Sequence, residues 1–401
     1  MSVIQRTTTG FTTKVIRDTD AFAALREEWI VLFGRCARAT PFQSHAWLLS
    51  WWQVYGRPGA LRVVTVRRDG QLVGAAPLYR TRRGGCAVLV PIGGALSDFA
   101  DLLLDDACAP EAAEAMTTAL LALRDWQVID LHETRPRAMA GGVFATSWRG
   151  GARGIAASVC LELPSSPMDA LVKELPAHTR KTVKRRVNQI AKLGVDVRPA
   201  PADESTRAVA DLLRLHEAQW QGRGVNPEHL RPEFARHLSG ALEGMVRAGE
   251  AAVLEYRIDG RHVVSNLVLI GPDLVGGYLF GALPELREKL DVTTLLIGST
   301  LPFAHERGRP VMSMLRGAEP HKYRWRPAES QNLRLLFSRP RSPRAAVYVA
   351  LVATKRRAVL YAKAKAPWVR QARDRVRALL SRRAKPSVPT QPGPPAEEKA
   401  P

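Results

Sequence analysis

The chain is short of acid, shorter still of cysteine, and has no long apolar run. Its four cysteines, Cys36, Cys86, Cys108 and Cys160, form no CxxC pair, and the nine histidines make no HxxxH array beside them. That spacing excludes a structural zinc site and a disulfide framework. Scattered cysteines of this kind fit small buried apolar side chains in a reducing compartment. No GxSxG, GxGxxG or P-loop occurs, so a hydrolase elbow, a dinucleotide fold and an NTP enzyme lack support. The stretch MSVIQRTTTGFTTKVIRD has no apolar core of a signal peptide. AAVYVALVA at 345–353 falls short of the ~20 residues that span a bilayer. A soluble, cytoplasmic protein is expected. With 46% hydrophobic and 24% charged residues, the composition is globular.

The scarcity of acid leaves 59 Lys and Arg against 38 Asp and Glu, a net charge of +21. Such an excess points to a polyanionic partner, and its location decides which. Residues 339–385 hold fifteen Lys and Arg and one acid, Asp374, so most of the excess lies in a C-terminal extension. Residues 386–401 hold six prolines and read as a disordered tail. A second basic cluster lies at 178–192, HTRKTVKRRVNQIAK. There Val183, Val187 and Ile190 recur at i, i+4 and i+7, which makes one apolar helix face. Arg180, Lys181, Lys184, Arg185, Arg186 and Lys192 occupy the rest, either a solvated face or one that meets phosphates.

The 401 residues suggest at least two domains. In the first half a short strand at 14–17, a helix over 20–33 and an aromatic helical stretch at 41–56 precede LRVVTV (61–66) and LVGAAPLY (72–79). Asp69-Gly70 between the last two signals a hairpin. Strands at 86–90 and 98–104, a helix at 110–124 and a strand at 126–132 follow. The second half repeats the order: AAVLEYRI (251–258), the turn Asp259-Gly260, HVVSNLVLI (262–270) and LVGGYLFG (274–281). A helix over 285–307 and a strand at 310–315 complete it. Arg67/Arg257, Asp69/Asp259, Gly70/Gly260 and Val73/Val263 are identical pairs 190 positions apart. A duplicated α/β unit is the reading. Trp47, Trp51 and Trp52 at i, i+4 and i+5 form a core face.

FQSHAWLLSWW (42–52), HTRKTVKRRVNQIAKLG (178–194), LHEAQWQGRG (215–224) and MLRGAEPHKYRW (314–325) stand in the order expected of one family. The sequence resembles the GNAT-type acetyltransferases of the CelD/BcsL group, named for cellulose and exopolysaccharide biosynthesis. That group is similar in fold to the Fem peptidyltransferases, which carry two GNAT domains in tandem. The resemblance is densest over 178–325. It implies a mixed α/β fold of mainly antiparallel sheets with helices, as tandem GNAT-like acyltransferase domains over 1–160 and 161–338. A basic amphipathic helical extension (339–385) and the Pro-rich tail (386–401) follow. The implied activity is transfer of an acyl group, acetyl first, from acyl-CoA to an amine or hydroxyl of a sugar or cell-envelope precursor, without a metal. The sequence departs from the family at KLDVTTLLIGST, where Asp291, Val292 and Thr293 replace a small-residue turn opening a helix. Acyl-CoA is therefore implied by the family and not by a phosphate-cradling motif.

Acyl transfer needs a base for the nucleophile's proton, donors for the oxyanion and an acid for the leaving thiolate. Residues 316–325 offer Glu319 or His321 as base, Tyr323 as acid, and Arg316 or Lys322 as anion ligand, with Trp325 at the end of the same motif. His216 and Glu217 lie on a helix over 204–220, His216 being a second-rank catalytic candidate. Tyr278 and Trp220 are candidates for lining an acceptor pocket. Arg180 and Arg185 are candidates for substrate or cofactor phosphates. Two alternatives stand beside acyl-CoA transfer: a Fem-like aminoacyl-tRNA-dependent transferase, with tRNA as the one nucleic-acid partner entertained, and a degenerate GNAT scaffold in a polysaccharide-biosynthesis complex. Residues 342–385 read as helix interrupted at Pro367, with Val369, Val376 and Leu380 at i, i+7 and i+11 among arginines. Such a segment suits peripheral contact with an anionic inner-membrane surface.

Overall fold

The structure is a computed structural model, and it describes residues 4–6, 10–220 and 226–365. The first half comprises β1 (Ile4–Arg6), β2 (Phe11–Ile16), α1 (Thr19–Ala23), α2 (Arg26–Gly34), α3 (His45–Tyr55), β3 (Leu61–Arg68), β4 (Gln71–Arg83), β5 (Cys86–Pro91), β6 (Leu103–Leu104), α4 (Ala109–Ala122), β7 (Val128–Thr134), α5 (Ala145–Ser147) and β8 (Ala152–Pro164). The second comprises α6 (Met168–Glu174), α7 (Ala177–Lys192), β9 (Asp196–Pro199), α8 (Ser205–Trp220), α9 (Pro232–Arg247), β10 (Ala251–Ile258), β11 (Arg261–Ile270), β12 (Leu274–Ala282), α10 (Leu286–Lys289), α11 (Val292–Glu306), β13 (Val311–Arg316) and β14 (Ala328–Ser338). α12 (Pro343–Lys365) ends the described chain. The chain divides between Val349 and Ala350 into two compact units. The first holds the whole sheet.

One mixed, mostly antiparallel sheet runs in the order β1-β2-β3-β4-β5-β7-β14-β8-β13-β12-β11-β10-β9, with β6 beside β4. The order reads almost alike from both edges. Each half has an antiparallel three-strand meander, β3-β4-β5 and β10-β11-β12, followed by a helix (α4 or α11) and a parallel strand, β7 beside β5 and β13 beside β12. Each half then gives its last strand to the other: β8 pairs β13, and β14 pairs β7. The two crossing strands pair with each other at the centre.

Local chemistry accounts for the repeated part. Asp69 and Gly70 have φ of 49° and 80°, Asp259 and Gly260 φ of 50° and 75°. Two successive positive φ angles make the hairpin turn whose twist matches the flanking strands, and an Asp-Gly pair tolerates both. The helix expected over 20–33 is broken into α1 and α2 at Ala24-Leu25, and the one expected over 285–307 into α10 and α11 at Leu290-Asp291. Of the strand expected over 98–104, only β6 forms a ladder.

Three apolar clusters fill the layers. One lies between the first half of the sheet and α4, another between the second half and α7 and α11. The third joins α1, α2 and α3 of the first half to α8 and α9 of the second on the opposite sheet face. Trp47, Trp51 and Trp52 are buried in it. All four cysteines are free and buried. Among the described residues no helix is long and apolar enough to cross a membrane.

Candidate active site

β12 and β13 pair in parallel only over Leu274–Gly276 and Val311–Ser313. Beyond that they separate, and the two edges that faced each other border an opening. β13 bulges against β8 between Ser313 and Arg316, with Leu315 at φ 54°. A bulge bends a strand and re-aims its side chains, and a bulky residue at positive φ is strained backbone. Here the bulge turns Met314, Leu315 and Arg316 to the opening.

The result is a cleft of about 670 Å³. It passes through the sheet: Leu279 and Leu315 belong to the cluster under α8, Ile297, Met312 and Met314 to the cluster under α11. Asp98 from the first half reaches one end. Gln219 of α8, Asn266 of β11 and Thr300 of α11 supply polar wall, and Glu319, His321 and Lys322 stand on the rim. Asn266 Nδ2 donates to Thr300 Oγ1 at 3.1 Å.

Five of the candidates read from the sequence meet here: Arg316, Glu319, His321, Lys322 and Tyr278. Arg316 Nε donates to Asp98 Oδ1 at 2.5 Å, and its Nη2 to the Ala95 carbonyl at 2.8 Å. Tyr278 donates its hydroxyl to the Leu96 carbonyl at 3.0 Å, so the segment 95–98 closes one side. Burial raises the Tyr278 phenol well above its ordinary range. Lys322 Nζ lies 2.8 Å from Glu319 Oε2 and 3.2 Å from the carbonyls of Met314 and Gly317. Burial pushes the Glu319 carboxyl up, but the Lys322 ammonium outweighs it, and Glu319 titrates below the usual carboxylate range.

The other candidates lie elsewhere. His216 is 7% exposed and donates from Nδ1 to the Phe280 carbonyl at 2.7 Å, its Nε2 lying 3.2 Å from His229 Nδ1. Burial lowers the pKa of both rings, that of His229 to about 4. Tyr323 is exposed and donates to Glu329 at 2.7 Å. Trp325 is buried in the core under α11. Arg180 donates twice to the Leu175 carbonyl, tying α7 to the end of α6. Arg185 lines a shallow surface groove along α7 with Lys181, Lys184 and Lys192. The Trp220 side chain lies outside the described residues.

Asp98, Gln219, Asn266 and Asp291 were not singled out as site residues from sequence. Asp291 caps α11: its Oδ1 accepts from Thr294 N at 3.0 Å. Arg324 donates to both its oxygens at 2.8 Å, and Arg186 of α7 donates to Oδ2. Burial acts against the charge, but these cations hold its pKa below the ordinary value. A carboxylate therefore fills the place at the first turn of α11 where an anion would bind. Away from the cleft, Asp211, Glu255 and His262 gather ligand-type atoms, but Arg207 lies 3.0 Å from Asp211 and 2.8 Å from Glu255, where a cation would sit.

Residues 177–323 match the acetyltransferase (GNAT) domain family. The matched segment runs from the start of α7 to the loop after β13 and holds nearly the whole cleft. Among solved structures, FemX is similar over 78% of this chain and 96% of its own, with 11% identity and a TM-score of 0.57. A conserved protein of unknown function from Bacteroides thetaiotaomicron is similar over 81% of this chain and 99% of its own, with 10% identity and a TM-score of 0.54. At such identity these likenesses show the fold. No curated protein matches the sequence. The GNAT match supports an acyl donor and an acceptor as the two substrates.

Proposed function

We propose that the protein transfers an acyl group, acetyl in the first instance, from acyl-CoA to an amine or hydroxyl of a sugar or cell-envelope precursor, in the manner of the CelD/BcsL acetyltransferases. The observation that carries this reading is the cleft between β12 and β13 inside the GNAT-matched segment. Its apolar walls, Leu296, Ile297, Met312 and Met314, suit an acyl chain and its thioester arm. The nucleophile attacks the thioester carbonyl and gives its proton to Glu319, ionised beside Lys322; the carbon–sulfur bond then breaks, and the CoA sulfur leaves with that proton as the free thiol. Arg316, Lys322 and Tyr278 border the substrates. The first turn of α11 does not suit a pyrophosphate, because Asp291 already occupies it. The donor's phosphates are assigned instead to Arg185, Lys181 and Lys184 on α7, next to Arg186.

That same Asp291 cap favours a second reading, in which the donor is an aminoacyl-tRNA lying along α7. Incubating the full chain with acetyl-CoA and amino-sugar acceptors, and following thiol release with the mass of the product, separates the two. Thiol release with an acetylated acceptor is expected, and Glu319→Gln should lower kcat by about 10²-fold with an unchanged melting temperature. No release with any acceptor would sink the acyl-CoA reading. Contact with an anionic membrane through 339–385 is a further part of the proposal, supported by exposed Leu351, Leu360 and Tyr361 near Lys355, Arg356 and Arg357.

A further inference from the structure

The loop that carries Glu319 is folded back on itself. Leu315 and Gly317 both have positive φ, 54° and 116°, and Gly317 N donates to the Val159 carbonyl of β8 at 3.1 Å. Glu319 closes a turn, its carbonyl accepting from Lys322 N at 3.0 Å. The Glu319 side chain borders the cleft and keeps half of its surface exposed.

Two neighbours fix where that carboxylate lies. Lys322 is the first. An ammonium has three N–H groups to give. Lys322 Nζ has three acceptors: the Met314 and Gly317 carbonyls, each at 3.2 Å, and Glu319 Oε2 at 2.8 Å. Both carbonyls belong to the stretch that leaves β13, so one ammonium closes the loop and holds the carboxylate. It has no donor left over for a substrate anion, which corrects the role expected of Lys322 from sequence. Gly317 is the second neighbour. A Cβ there would fall 2.4 Å from Glu319 Oε1 and 2.8 Å from Oε2. The carboxylate lies over a bare Cα, and any side chain at 317 would displace it.

We infer that Lys322 and Gly317 are positioning residues of the acyl transfer: together they hold the Glu319 carboxylate at the cleft, and Lys322 binds no substrate. This inference rests on the reading above in which Glu319 takes the nucleophile's proton. Lys322 and, more weakly, His321 are the charged groups that act on the carboxylate, and both favour its ionised form.

The full chain with acetyl-CoA and glucosamine, followed by thiol release across pH, tests the kinetic part. The acid limb of kcat/KM reports the base in the free enzyme. Lys322→Met should move that limb up by about one pH unit and leave KM for acetyl-CoA unchanged. A raised KM with an unmoved limb would make Lys322 a substrate ligand and overturn the inference. Gly317→Ala should lower kcat about tenfold. Added to Glu319→Gln it should cost nothing further, because it acts through the carboxylate. An equal further loss in that background would show that Gly317 serves the fold alone. Should Lys322→Met fail to fold, this pair of variants decides. Carbon-13 labelling of the glutamate carboxyls gives a readout that needs no turnover. The signal lost in Glu319→Gln should titrate about one pH unit higher in Lys322→Met than in the wild type. If the wild type releases no thiol, the acyl-CoA reading fails, and this titration still decides whether Lys322 holds the carboxylate; an unmoved signal would overturn that.

Discussion

Glu250 is 6% exposed at the foot of β10, and burial pushes its carboxyl up to about 7 against a partial counterweight from Ser44. In the unfolded chain the same group titrates near 4.5. Below that value both states are protonated and the group is neutral to stability. As pH rises toward 7 the unfolded state loses its proton first, so stability falls, and above 7 the whole penalty is present. Glu250→Gln should therefore melt with the wild type below about pH 4.5 and above it at pH 8. Parallel melting curves at every pH would refute this role. At this scale the candidate site was legible mainly where chemistry clustered in sequence, with Tyr278 of the apolar LVGGYLFG strand the exception. Residues 316–325 gave Arg316, Glu319, His321 and Lys322, which do border the cleft. Asp98 had no such signal, because its partner Arg316 lies 218 positions away. In LHEAQW the histidine attracts notice for its titration, yet the structure spends it on the Phe280 carbonyl of β12.

Elements announced by local chemistry were legible. The Asp-Gly turns named both hairpins, and Val183, Val187 and Ile190 named α7. β8 and β14 were not, because both are largely half-exposed and their pairing partners lie in the opposite half of the sheet. Their sequences, ARGIAASVCLELP and AESQNLRLLFS, carry no turn signal that local reading can use. α12 is a third case, since its apolar residues cluster at 345–353 and its basic ones at 355–357, in blocks along the axis. Residues 350–401 carry thirteen Lys and Arg against three acids. The cut that tests membrane contact belongs after Val349, because Tyr348 donates to buried Asp130 at 2.9 Å and an earlier cut would damage the sheet unit. The full chain should sediment with phosphatidylglycerol vesicles and not with phosphatidylcholine, and salt near ~0.5 M should release it. A chain ending at Val349 that sediments equally would show that the extension is not the anchor.

For the whole molecule the exchange of β8 and β14 matters more than the likeness of the halves. An edge strand presents a row of unpaired amides and carbonyls, and each half covers the inner edge of the other. Neither half of the sheet is complete without its partner's last strand. A charge network secures one of the crossings. Arg334 of β14 donates to both oxygens of Asp130 on β7, at 2.7 Å and 2.6 Å, and Asp130 has no exposed side-chain surface. Burial opposes the Asp130 charge, but Arg334, Tyr348 and Arg83 together keep its pKa below the ordinary range. Removing Arg334 leaves the buried Asp130 charge with only Arg83 and the Tyr348 hydroxyl to offset it, at a cost of up to about 3 kcal/mol. Arg334→Met should therefore destabilise the sheet as a unit. Hydrogen exchange resolved by peptide should show protection falling together in β3–β5 and in β10–β12, although the latter strands touch neither Arg334 nor Asp130. If only the first half loosened, the crossing strands would be joining two halves that unfold independently, and the single cooperative sheet argued from the topology would be wrong.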